Sequence, residues 1–246
     1  MSPPSRARQS WTIVVFGYNE SASVARVVAD AERVLQAISP DDHEVLIVDD
    51  GSTDGSAELV KALERPPHVR VILHGKNRGI GHALRSGYLH ARCNNVCAVP
   101  ADGQFDLDEL RPFATLDERT FVSFTRRQNV HYSRYRRALT AVNRALMGLA
   151  LGAKVHDVNW VKAYQTSALR GLDLELESSL VQSEIVAKLL VLGHRMVEPE
   201  SRYLERSSGT ARGASAKVVL AAATDALTLV RVVRRFKKRI AARSHG

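Results

Sequence analysis

Cysteine is nearly absent from this chain, with only Cys93 and Cys97 among 246 residues. Two thiols are too few for a disulfide framework or a structural zinc site, so both read as buried or free thiols, and a reducing, cytoplasmic setting is expected. Eight prolines and 15 glycines without a period exclude a collagen-like or low-complexity chain. No run of about 18 apolar residues occurs, which predicts no membrane-spanning helix. The first ten residues are polar and predict a disordered N-terminus rather than a secretory leader. What remains is an ordinary globular composition, 45% hydrophobic and 25% charged, long enough for one large α/β domain.

The charge is unevenly placed. Residues 201–246 hold 11 of the 35 Lys and Arg but only Glu205 and Asp225 of the 26 acids, so the net +9 belongs wholly to the C-terminal segment. The body is balanced and offers neither a continuing basic groove nor an aromatic platform, so no nucleic-acid partner is expected.

Short β-branched runs alternate with helical stretches, the pattern of βαβ units around a mainly parallel sheet. Strands are expected at Thr12–Phe16, Glu44–Val48, Val69–Leu73 and Asn95–Val99, with a further one at Phe121–Phe124. The near-continuous apolar run Glu44–Val48 suits a strand covered on both faces. Helices are expected from about Ser21, taken as an N-cap, then at 80–92, 136–151 and 180–192, with a last one from about Ser215 to Ala242. The boundaries drawn are a tail at 1–10, a domain at 11–210, and a basic amphipathic helix and tail at 211–246.

Four polar loops then fall at one sheet edge, where open parallel sheets bind ligands. Asp49 and Asp50 precede a Gly-Ser-Thr-Asp-Gly turn, where a carboxylate can accept from a nucleobase or ribose, or merely cap the next helix. Asp102 and Gln104 lie two apart and would point the same way in an extended segment, a minimal donor set for Mg²⁺ or Mn²⁺ completed by substrate phosphates. Asn77-Arg-Gly-Ile-Gly81 could bring backbone or Arg78 to a phosphate at a helix start, yet it lacks the dinucleotide and phosphate-loop fingerprints.

Taken in order, Tyr18-Asn19-Glu20, Val48–Ser56, Asn77–Ala83 and Ala101-Asp-Gly-Gln104 closely resemble the successive motifs of family 2 glycosyltransferases of the GT-A fold. Asn143, Asp157–Lys162, Gln182-Ser-Glu184 and Arg206-Ser-Ser-Gly209 resemble its later landmarks, most of all those of the dolichyl- and polyprenyl-phosphate sugar synthase branch. The resemblance implies a Rossmann-like sheet flanked by helices and inverting transfer of a hexose from a UDP- or GDP-sugar to a polyprenyl phosphate or another glycan acceptor. It places Tyr18, Glu20, Asp49, Asp50, Asn77 and Gly79 at the nucleotide, and Asp102 and Gln104 on Mg²⁺ or Mn²⁺. It makes Arg126, Arg127, Arg136, Arg137 and Arg206 holders of an acceptor phosphate, and Asp157 or Glu184 the base should the acceptor be a hydroxyl. One departure stands out: the family's Asp-x-Asp has Pro100 at its first acid, which leaves a non-catalytic nucleotide-sugar binder as a rival. Trp160 is expected near the acceptor or in the core.

In the last helix, Val218, Ala222, Ala226, Leu229, Val233, Phe236 and Ile240 recur at steps of three and four, opposite Lys217, Arg231, Arg235 and Lys238. Such a stripe can lie in a bilayer surface, the reading favoured here, or dock on the protein's own body or a twin subunit. Peripheral attachment to the inner membrane face is therefore expected, and a homo-oligomer stays open.

Overall fold

A computed structural model describes residues 9–126, 148, 157, 159–205 and 216–243. The predicted helix at 136–151 lies almost wholly outside them. Nine strands are described: β1 (Trp11–Gly17), β2 (His43–Asp49), β3 (Val69–Leu73), β4 (Asn95–Pro100), β5 (Thr120–Ser123), β6 (Thr125–Arg126), β7 (Lys162–Gln165), β8 (Arg195–Val197) and β9 (Glu200–Ser201). Seven form one sheet in the order β3-β2-β1-β4-β7-β5-β8, and β6 pairs with β9 apart from it. All pairings are parallel except those of β7, which runs antiparallel to both β4 and β5. The order reverses between β1 and β4, so a crevice opens there at the carboxyl edge.

Strand alternation divides the core into two layers. Ile13, Val15, Val45, Ile47, Cys97 and Val99 face α1 (Val24–Ile38) and α2 (Ser56–Ala62). Val14, Phe16, Leu46, Val48, Val96 and Ala98 face α3 (Ile80–His90), α4 (Thr166–Arg170) and α5 (Val181–Val191). Both faces of β1, β2 and β4 are thus covered, which is why these strands read as continuous apolar runs rather than alternating ones. Leucine-sized side chains buried here each contribute about 1.5–3 kcal/mol.

Two boundaries differ from the sequence reading. The chain at 21–23 is a turn, and α1 starts at Val24 with Ser23 at the cap position. Ser21 instead donates its backbone N–H to Asp54 at 3.2 Å. The second difference is larger. Helix α6 (Ala216–Arg243) is not an appendage, because Leu229, Val230, Val233 and Phe236 are buried in the same core cluster as α5, with Ile240 packed against it. Asp225 accepts from the Ser178 N–H at 3.2 Å, and Arg235 pairs with Glu175. The apolar stripe from Leu229 to Ile240 is therefore covered by the protein's own body, which corrects the expectation that it faces lipid.

Candidate functional site: a stitched loop crevice and a charged floor

The first two loops are sewn together by alternate side chains of Ser52-Thr-Asp-Gly-Ser56. Ser52 Oγ accepts from the Asn19 N–H at 2.8 Å, Asp54 from Ser21, and Ser56 Oγ from the Glu20 N–H at 3.0 Å. In return Asn19, held in a left-handed conformation with φ 56°, accepts the Thr53 N–H at 2.8 Å. Burial works to raise the Asp54 carboxyl, but the Ser56 hydroxyl and the Ser21 and Ser56 amides hold it down at about 2. Glu20 and half-buried Tyr18 are presented at the β1 side of the crevice by this clamp. The Glu20 side chain also lies over Gly17, within 3.4 Å of where a β-carbon there would sit, next to Ala101.

Asp49 and Asp50 divide their work. Asp49 Oδ2 accepts from the N–H groups of Gly51 and Ser52 at 3.1 and 2.9 Å and fixes the strand end. Asp50 is buried and reaches across to the third loop, accepting from the Arg78 and Gly79 N–H groups at 3.1 and 2.7 Å. His74 Nδ1 lies 2.7 Å from its Oδ1, and the other ring nitrogen is 2.9 Å from Ser86 Oγ. Most of the carboxylate's acceptor capacity is thus spent within the protein. The same bonds correct the idea that the 78–79 amides point outward to a phosphate. Asn77 is exposed beside them. Gly51 is required at this junction, since its φ is 74° and a β-carbon would fall 2.3 Å from the Lys76 carbonyl carbon.

Asp102 and Gln104 do not share a face. Gly103 adopts φ 71° and turns the chain, so period-two geometry fails here. Asp102, buried, accepts the Gln104 N–H at 3.1 Å, while Gln104 Nε2 donates to Tyr203 Oη at 2.6 Å, on the segment after β9. Arg26 of α1 presses on Gly103, its Nη2 only 2.4 Å from the β-carbon position. Among the described residues no group of three or more His, Cys, Asp or Glu gathers to hold a metal. One carboxylate still fits a cation that takes its other ligands from water and a diphosphate. Asp102 fits that role, and the Gln104 amide nitrogen is held by Tyr203.

The opposite wall is built on charge. Arg126 grips Asp157 with both prongs, Nε to Oδ2 at 2.7 Å and Nη2 to Oδ1 at 3.0 Å. Its guanidinium lies over the Trp160 ring, 4.7 Å from the centroid. Trp160 is a core residue, buried, donating Nε1–H to Ser201 Oγ at 3.1 Å and packed edge-on against Phe105. Beneath them Lys162 is fully buried on β7, its Nζ donating to the carbonyls of Trp160 at 3.0 Å and Asp157 at 3.4 Å. Burial pulls its ammonium down to about 7, against the pull of Asp157.

Glu184 lies elsewhere in function. It has no exposed surface, pairs with equally buried Lys188 at 2.6 Å, and accepts the Glu175 and Leu176 N–H groups at 2.9–3.1 Å. It clasps the 173–176 segment to α5, so a base role for it conflicts with its burial. Arg127, Arg136, Arg137 and Arg206 fall outside the described residues, as does Asn143.

Sequence reasoning missed the Ser52/Asp54/Ser56 stitch, although the alternation of small polar residues was its signal. It also passed over His74, for which no spacing could have revealed the partner Asp50, 24 residues away.

The glycosyl transferase family 2 model matches residues 12–167, more than half of the chain, and the chain belongs to that family. Its sheet, with helices on both sides, has the GT-A fold. It superimposes with TM-score 0.58 on a mannosyltransferase from Pyrobaculum calidifontis in complex with GDP-Man and Mn²⁺, at 19% identity over 96% of this chain and 76% of that one. For glucosyl-3-phosphoglycerate synthase from Mycobacterium tuberculosis, in complex with Mn²⁺, UDP and glucosyl-3-phosphoglycerate, the TM-score is 0.61 at 14% identity, covering 94% and 80%. Among curated relatives, undecaprenyl-phosphate 4-deoxy-4-formamido-L-arabinose transferase of Photorhabdus laumondii is 27% identical over 214 residues, 85% of this chain. The chain spans 64% of that relative's length. A dolichyl-phosphate beta-glucosyltransferase of Trichomonas vaginalis is 27% identical over 168 residues, covering 66% of this chain and 44% of that protein.

Proposed function

We propose that this chain is an inverting hexosyltransferase that moves a sugar from a UDP- or GDP-sugar to a polyprenyl phosphate, at the cytoplasmic face of a membrane. A phosphate oxygen of the lipid forms the new bond to the anomeric carbon, on the face opposite the nucleotide. The bond from that carbon to the diphosphate breaks, and the nucleoside diphosphate leaves with the electron pair.

One observation carries the choice of acceptor: neither candidate base is poised to take a proton. Asp157 has both oxygens gripped by Arg126, and Glu184 is sealed in the core. A hydroxyl acceptor needs a base, whereas an anionic phosphate is already a nucleophile. The names of the curated relatives, transferases to undecaprenyl and dolichyl phosphates, support the same reading.

The stitched first and second loops present Tyr18 and Glu20 to the nucleotide, and Asp50 orders the third loop beside it. Asp102 would hold Mg²⁺ or Mn²⁺, which when bound neutralises charge on the leaving diphosphate. The Arg126–Asp157 pair fixes the guanidinium at the acceptor side, with Arg127, Arg137 and Arg206 as further holders of phosphate.

The test is transfer from UDP- and GDP-sugars to a short polyprenyl phosphate, with Mg²⁺, Mn²⁺ or EDTA. Metal-stimulated lipid product is expected, with a loss of 100-fold or more in Asp102→Ala, a magnitude on the order of that for one electrostatic contact to developing charge. Asp157→Asn should cost less than about tenfold and leave the shape of the kcat/KM pH profile, any acidic limb included, as it is in the parent. A drop of roughly 10²–10⁴ with loss of that limb would make Asp157 a base and transfer the weight to a hydroxyl acceptor.

A further inference from the structure

The C-terminal helix keeps its cations outside after its apolar stripe has gone inside. Steps of three and four residues set Arg231, Arg234, Arg235, Lys238, Arg239 and Ala242 along one face of α6. They line an open concavity of about 600 Å³. At 1.5 Å per residue the strip is about 17 Å long. Its single acid, Asp225, sits upstream and is occupied by the Ser178 N–H. Arg235 pairs with Glu175, and Arg239 lies 5.9 Å from the Phe236 ring centroid. Among the described residues no carboxylate pairs with Arg231, Arg234, Lys238 or Arg239, all of them exposed.

We infer that this strip docks the protein on an anionic lipid bilayer by charge alone. The inference rests on the polyprenyl phosphate reading, since that acceptor must be met in a membrane. The mode of attachment follows from packing. Val233 and Leu229 have no exposed surface and Phe236 is nearly covered, so burying them in acyl chains would mean peeling the helix off α5. The cations cost nothing to present, and a ridge of guanidinium and ammonium groups complements a field of anionic headgroups. No described helix is long and apolar enough to cross a membrane. Attachment of this kind is screened by salt, because the attraction fades over a Debye length, about 8 Å at physiological ionic strength.

The experiment is sedimentation of the full chain with vesicles of equal parts phosphatidylglycerol and phosphatidylcholine, and with phosphatidylcholine alone, between low and high NaCl. Binding is expected only to the anionic vesicles and should be released by salt. Each neutralised cation should weaken it roughly fivefold, so the triple variant R234Q/K238Q/R239Q should lose about a hundredfold while its circular dichroism and melting curve stay those of the parent. Equal binding to neutral vesicles, salt-insensitive binding, or undiminished binding by the triple variant would overturn the inference. So would tight binding of duplex DNA that anionic vesicles fail to displace. Transfer to a short polyprenyl phosphate in detergent is read separately. The triple variant should keep it, and a parent chain that binds vesicles yet transfers nothing would end the acceptor reading while leaving the docking surface standing.

Discussion

The two halves of the sheet handle polar groups in opposite ways. At the carboxyl edge of the β1–β4 side, the carboxylates and hydroxyls are satisfied mostly by backbone N–H groups of neighbouring loops, as with Asp49, Asp50, Ser52 and Ser56, the pair of buried Glu44 with Arg70 at the far end of β2 being the exception. On the β5–β8 side, whole charges are buried: Lys162 at the start of β7, Glu184 and Lys188 on α5, and Asp157 against Arg126. Backbone-satisfied carboxylates tolerate a shared, partly wet edge. Buried charges hold position only while every partner is present, because an uncompensated ion in the interior is costly.

The largest effect that would sharpen this contrast is expected from Lys188→Ala. It strands Glu184 without its cation, and urea unfolding should show a loss of about 3–5 kcal/mol. A loss below about 1 kcal/mol would mean that the two N–H donors of residues 175 and 176 suffice, and the halves would then differ little.

Lys162 comes next. Its ammonium titrates near 7 in the folded chain and near 10.5 when unfolded, because burial disfavours the charge. Between those values the unfolded state binds more protons, so stability from this group rises with pH, with a slope of at most about 1.4 kcal/mol per pH unit. Lys162→Met should flatten that rise in melting curves taken from pH 7 to 10. An unchanged slope would place the charge elsewhere.

On the loop side, Gly51→Ala forces a β-carbon toward the Lys76 backbone at a positive φ, and about 1–3 kcal/mol of strain is expected, with nucleotide affinity falling alongside. The smallest effect belongs to Ser52→Ala, which removes one side-chain bond to the Asn19 N–H and should cost about 1 kcal/mol. Should Ser52→Ala cost as much as Lys188→Ala, the loops would be as brittle as the buried pairs.

Legibility in the sequence followed the range of the interaction. Strand β3 runs from Val69 to Leu73 as its β-branched composition indicates, β1 and β2 extend one residue beyond their expected spans at both ends, and β4 one residue at its C-terminal end. Ser21 failed as a cap because its N–H is drawn to Asp54, a contact across two loops. The extended geometry expected between Asp102 and Gln104 does not hold, because Gly103 turns the chain between them, and the Gln104 amide nitrogen finds Tyr203 some hundred residues on. The Asp50 partner of His74, 24 residues away, carries no spacing signature, and the i,i+4 step from Glu184 to Lys188 is legible along the chain although the burial of that pair is not.

By itself the sequence determined the alternation of strands and helices, the loops that gather at the carboxyl edge, and the family to which they belong. These rest on local periodicity and on motif order, both written along the chain. Tertiary structure decided which carboxylates remain available for chemistry. It also decided what covers the apolar stripe of α6: an amphipathic pattern states that one face must leave water, but only packing supplies the surface that receives it. Here that surface is α5 and the sheet behind it, and the cations are what is left to meet the outside.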